Sequence, residues 1–148
     1  MAKHMLIATD GSELADRAVA YALDLAKTMN AKATAVTVSE IWSPVDVANQ
    51  IRAGRIGAIE DFEAHAAEAA NAILAKVTEK ASQAGVNVAT KHVPDSRPAD
   101  GILKAAETEK CDLIVMSSHG RRGLSELMLG SQAHEVVSRS SVPVLICK

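Results

Sequence analysis

At 148 residues and 48% hydrophobic composition, the chain is the size of one ordinary domain with one substantial core, leaving no room for a second. A formal net charge of -2 provides no basic excess to draw it onto nucleic acid or anionic lipid. The two cysteines, Cys111 and Cys147, sit inside apolar runs, which argues against metal or disulfide frameworks, and three aromatic residues leave few rings to stack on a base or a flavin.

Residues 5–8 (MLIA) are a continuous apolar run of strand length, as expected of a strand covered on both faces. Asp10 follows too soon for a secretory leader, and no apolar run approaches the roughly 20 residues of a membrane span, so a cytoplasmic address is expected. Behind Ser12 as N-cap, Leu14, Ala18, Ala22, Leu25 and Met29 recur at helical spacing, with Glu13 and Asp16 in the first turn. Residues 34–38 (TAVTV) predict a second strand. Residues 40–57, with Ser43-Pro44 and two glycines, have weak periodicity and read as a long connection or flap.

A long helix is marked by Ile59, Phe62, Ala66, Ala69, Ile73 and Val77 and closes at Gly85. Residues 86–92 alternate and carry polar groups on one face, which suits an edge strand. A helix from Pro98 to Glu109, an apolar strand at 113–116, a helix from Ser131 to Arg139 and an apolar strand at 144–147 complete the chain. Strands alternating with helices through right-handed crossovers give an α/β doubly wound, five-stranded parallel sheet with helices on both faces. If the alternating third strand is an edge, the spatial order is 3-2-1-4-5 and the winding reverses between strands 1 and 4, where a ligand crevice belongs.

Two loops leave the sheet at that crevice. In residues 117–131 (SSHGRRGLSELMLGS), small residues admit close approach of backbone N–H groups to a ligand. Gly130 and Ser131 open a helix whose unpaired amides favour an anion, and Arg121 and Arg122 would add positive charge. These parts describe a polyphosphate cradle. Equally, they are turn glycines, an N-cap serine and solvated arginines. Asp10 can accept from a ribose hydroxyl or an adenine amine, hold Mg2+ through water, or form an Asx-turn into the first helix. Val38 offers an aliphatic wall for a base or is simply core, and His119 is a phosphate contact, a general base or a structural loop residue.

With these segments in view, the chain resembles the universal stress protein family over essentially its whole length. Residues 6–12 (LIATDGS) resemble the family's opening strand and turn, 112–116 its fourth strand and 142–146 its closing strand. The family's ATP-binding signature is Gly, two residues, Gly, nine residues, Gly, then Ser or Thr. Gly120, the nine residues 121–129 and Gly130-Ser131 match in register, while Ser117 stands where the first glycine is expected. Serine keeps its N–H, so the loop survives if that backbone needs no positive φ.

The resemblance implies an adenine nucleotide alpha hydrolase-like fold, with Ala8, Thr9 and Asp10 near an adenosine and Val38 against adenine. Met116, Ser117, His119 and Gly120 would line the site, and Gly130, Ser131 and Gln132 would hold the phosphates. It also implies a homodimer through antiparallel pairing of the final strand, Val142 to Lys148, whose open edge would otherwise need covering. Three functions follow: an ATP-binding regulator, a slow ATPase or self-phosphorylating enzyme using Asp10 or His119, and a dimeric interaction module without nucleotide. A receiver domain would place a helix after the fifth strand, a flavodoxin would need rings around its flavin, and a serine hydrolase would need its Gly-x-Ser-x-Gly elbow.

Overall fold

The computed structural model describes residues 1–120 and 128–148. The elements run β1 (His4–Ala8), α1 (Glu13–Met29), β2 (Lys32–Val38), α2 (Pro44–Arg52), α3 (Ala58–Ala84), β3 (Val88–Val93), α4 (Pro98–Thr108), β4 (Leu113–Ser117), α5 (Ser131–Arg139) and β5 (Val144–Cys147). All four strand pairings are parallel and the order is β3-β2-β1-β4-β5, as the alternation of elements requires. Side-chain alternation divides the core into two layers. Met5 and Ile7 point into a cluster with α1 and α3, whereas Leu6 and Ala8 point into one with α4 and α5.

Ser12 caps α1 as its residue type predicts, with Oγ accepting from the Ala15 N–H at 3.2 Å. The buried stripe of α1 is Ala15, Ala18, Val19, Ala22, Leu23 and Ala26, displaced by about one residue from the expected Leu14, Leu25 and Met29. Small residues let the helix approach the sheet closely, which leaves the three larger side chains at the margins. In α3 the stripe begins only at Ala70, so the expected core residue Phe62 is 44% exposed. At the other end, Gly85 is left-handed and the Val86 N–H donates to Ala81 O at 2.9 Å, so Val86 belongs to the helix cap and β3 starts at Val88.

The segment 40–57, expected as a connection or flap, contains α2. Only Val47 of this helix is buried, while Val45 and Ile51 are exposed. No core-facing stripe exists to be seen as periodicity. The capping signals were nevertheless in the sequence: Ser43 accepts from the Asp46 N–H, and Pro44 and Asp46 occupy the first turn.

Asp112 ties the start of β1 to the entry of β4. Its carboxylate accepts from the Lys3 N–H at 2.9 and 3.0 Å and from the His4 N–H at 3.1 Å. The Lys3 bond, helped by His4, holds the carboxyl below its usual range. A folded-state pKa below the unfolded one contributes stability above about pH 4 that is lost as pH falls through the folded value. Asp112→Asn is therefore expected to melt below the parent at pH 7, with the gap narrowing below about pH 4. Thermal melts across that range measure it.

Candidate functional site

β1 and β4 are neighbours in register, with Ile7 opposite Val115, so their carboxyl ends bring the two distinctive loops together. The first loop is tightly self-bonded. Thr9 donates its N–H to Val36 O at 3.0 Å, accepts the Thr37 hydroxyl at its carbonyl, and accepts the Gly11 N–H at Oγ1 at 3.1 Å. Asp10 Oδ1 accepts from the Ser12 N–H at 2.9 Å, which makes the Asx-turn one of the alternatives realised. The carboxylate also faces the second loop, since a Cβ at Gly120 would stand 2.7 Å from Asp10 Oδ2. That contact, and not backbone conformation, explains a glycine at 120: among the described glycines with positive φ, 120 is absent.

Ser117 ends β4 in extended backbone and is not among the described residues with positive φ. The condition on which a serine can replace the expected glycine is therefore met. Its Oγ donates to His119 O at 2.8 Å, which tightens the turn. Ser118, which the motif does not single out, is the hub: its N–H donates to Cys147 O at 2.9 Å and its carbonyl accepts the Gly130 N–H at 2.8 Å. This second bond ties the start of α5 to the end of β4. A Cβ at Gly130 would meet Ser118 O at 2.7 Å and His119 Cα at 3.4 Å, so glycine is required by close approach. His119 Nδ1 and Ser118 Oγ lie 3.0 Å apart, which engages the imidazole within the loop.

The first turn of α5 has no side-chain cap among the described residues. Ser131, Gln132 and Ala133 thus present backbone N–H groups at the positive end of a helix, beside the loop after β4. The Gln132 side chain does not join them, so the residue faces the crevice through its backbone N–H alone. Its Oε1 accepts from the Ala99 N–H of α4 at 3.0 Å, because the N-cap of that helix, Arg97, has no side-chain acceptor to offer.

Ala8 and Met116, near the carboxyl ends of β1 and β4, are buried members of the α4 and α5 layer. Val38 packs on the same layer, and a Cβ at Gly101 of α4 would lie 2.8 Å from its Cγ2. Core packing, one of the two readings of Val38, is realised. Beside it, Ser39 Oγ and His92 Nε2 lie 2.7 Å apart, a pair that isolated residue types gave no reason to link. Arg121 and Arg122 lie outside the described residues.

A groove of about 630 Å³ lies elsewhere, between α4, α5 and the entries to β4 and β5, lined by Leu103, Cys111, Ile114, Arg139 and Val142 among others. Burial pushes the Cys111 thiol up to about 11, so it is protonated at neutral pH and behaves as a small apolar group. Among the described residues no cluster of His, Cys, Asp and Glu is arranged to hold a metal ion, and no helix is long and apolar enough to cross a membrane.

The model of the universal stress protein family matches residues 1–148. The chain belongs to this family. It is 34% identical over 146 residues to the universal stress protein MJ0531 of Methanocaldococcus jannaschii, covering 99% of this chain and 82% of that one. The structure of MJ0577 from the same organism superposes with a TM-score of 0.80 at 25% identity, over 99% of this chain and 95% of that one. A universal stress protein in complex with cAMP superposes with a TM-score of 0.70 at 26% identity, over 99% and 97% of the two chains. The sheet order is thus that of an adenine nucleotide alpha hydrolase-like fold, and at least one relative of this shape holds an adenine nucleotide.

Proposed function

We propose that this universal stress protein is a cytoplasmic, homodimeric regulator that binds ATP at the carboxyl ends of β1 and β4. The observation that carries the reading is the start of α5: three backbone N–H groups without a side-chain cap among the described residues, drawn against the β4 loop through Gly130 and Ser118. A polyphosphate supplies the acceptors such a helix start lacks. Ser131 adds a hydroxyl, Gly120 and Gly130 keep the approach clear, and the Ala8, Met116 and Val38 surface offers an aliphatic bed for the base.

The donor set fits a Mg2+ carried in on the triphosphate better than one held by protein. Among the described residues Asp10 is the carboxylate at the ends of β1 and β4, and it already accepts from the Ser12 N–H. Water activation has a similarly thin basis, since His119 is engaged with Ser118 and no complete catalytic set surrounds it among the described residues. Hydrolysis is therefore slow at most, and occupancy acts by holding the start of α5 against the end of β4.

Calorimetric titration with ATP and Mg2+ tests the proposal. Saturable binding of one ATP per chain is expected, with adenosine binding more weakly because the helix start then goes unused. A folded parent that takes up neither would leave the interaction-module reading in its place.

A further inference from the structure

We infer that Gln132 is a positioning residue, fixing the first turn of α5 by capping α4; its bearing on phosphate rests on the nucleotide-binding reading above. The N-terminus of α4 begins at Pro98 behind Arg97, which makes no side-chain cap bond, and Ala99 is 0% exposed. A buried N–H at that point without an acceptor is costly. Gln132 Oε1 supplies the acceptor at 3.0 Å from 33 residues away in sequence, and it does so from the first turn of α5.

The rest of the seam cannot substitute for this bond. Arg97 pairs with Glu135, and Arg139 with both Glu135 and Asp100, but this partly exposed network takes hold of α5 at residues 135 and 139, beyond its first turn. Ala133 and Val136 pack in the same layer as Ala99, Ile102 and Ala105, which holds the helices together without setting the pitch of the first turn. That turn is pinned at two points only among the described residues, to Ser118 through the Gly130 N–H and to Ala99 through Gln132. Releasing the second lets the helix start pivot on the first, and the amides at 131–133 then lose their aim.

The test compares the parent with Gln132→Met, which keeps length and loses the acceptor, and Gln132→Glu, which restores an acceptor. Amide hydrogen exchange is read at Ala99 and at His134, whose N–H donates to Gly130 O at 2.8 Å. In Gln132→Met both amides are expected to exchange about tenfold faster or more, and in Gln132→Glu both return toward the parent. ATP affinity of the Met variant should fall several-fold while adenosine affinity is unchanged. Faster exchange confined to α4, with His134 unmoved, would overturn the inference and leave Gln132 a local cap. A parent that binds no ATP defeats the nucleotide reading alone, because the two exchange rates still decide whether Gln132 fixes α5.

Discussion

Gly130→Ala is expected to weaken ATP binding by about one to two orders of magnitude, the scale of losing one charge-assisted hydrogen bond. Its backbone, at φ -59 and ψ 151, is open to alanine, so the chain should fold. The added methyl, however, would meet Ser118 O at 2.7 Å, and the Gly130 N–H donates to that same carbonyl at 2.8 Å. The helix start must therefore swing away from the end of β4, carrying the amides of Ser131, Gln132 and Ala133 with it. Adenosine, which does not reach the helix, should bind the variant as it binds the parent. Calorimetry with both ligands separates a displaced phosphate end from a general loss of structure, which would weaken both.

Ile146→Pro is expected to convert a dimer into a monomer. β5 pairs only with β4 among the described strands, and its four residues are half-buried where β1 and β4 are largely buried. Ile114 donates to Pro143 O and Ser118 donates to Cys147 O, so the odd-numbered carbonyls face β4. By alternation, the N–H and C=O groups of Val144 and Ile146 face the open edge. An antiparallel partner strand would use them, and proline at 146 removes a donor from that edge without touching the ladder to β4. Sedimentation of parent and variant, with circular dichroism to confirm the fold, measures the change. A parent that is monomeric at micromolar concentration contradicts the strand-pairing proposal.

The sheet was legible in the sequence because its inner strands β1, β2 and β4 are covered on both faces. The apolar runs at 5–8, 113–116 and 144–147 needed no partner information to be seen, and the alternating run at 86–92 marked the edge that fixes the order. α2 was hidden for the converse reason, since one buried residue leaves no period, and only its caps announced it. The glycine spacing drew attention to the segment after β4, but not to why glycine is needed there. The causes are the Asp10 carboxylate beside Gly120 and the Ser118 carbonyl beside Gly130, contacts between segments more than ten residues apart. The second role of Gln132 was hidden by the same limitation: that its side chain caps another helix shows only when α4, whose N-cap Arg97 makes no side-chain cap bond, is found beside it.

The central claim is that adenine nucleotide binds at the carboxyl ends of β1 and β4 with its phosphates at the start of α5. Backbone amide chemical shifts recorded during titration with ATP and Mg2+ test it most directly. The largest changes are predicted at Ser118, Gly120 and residues 130–133, with smaller ones at Asp10 and Val38. Changes clustered instead at Leu103, Cys111, Arg139 and Val142, around the groove between α4 and α5, would place the ligand elsewhere and contradict the account.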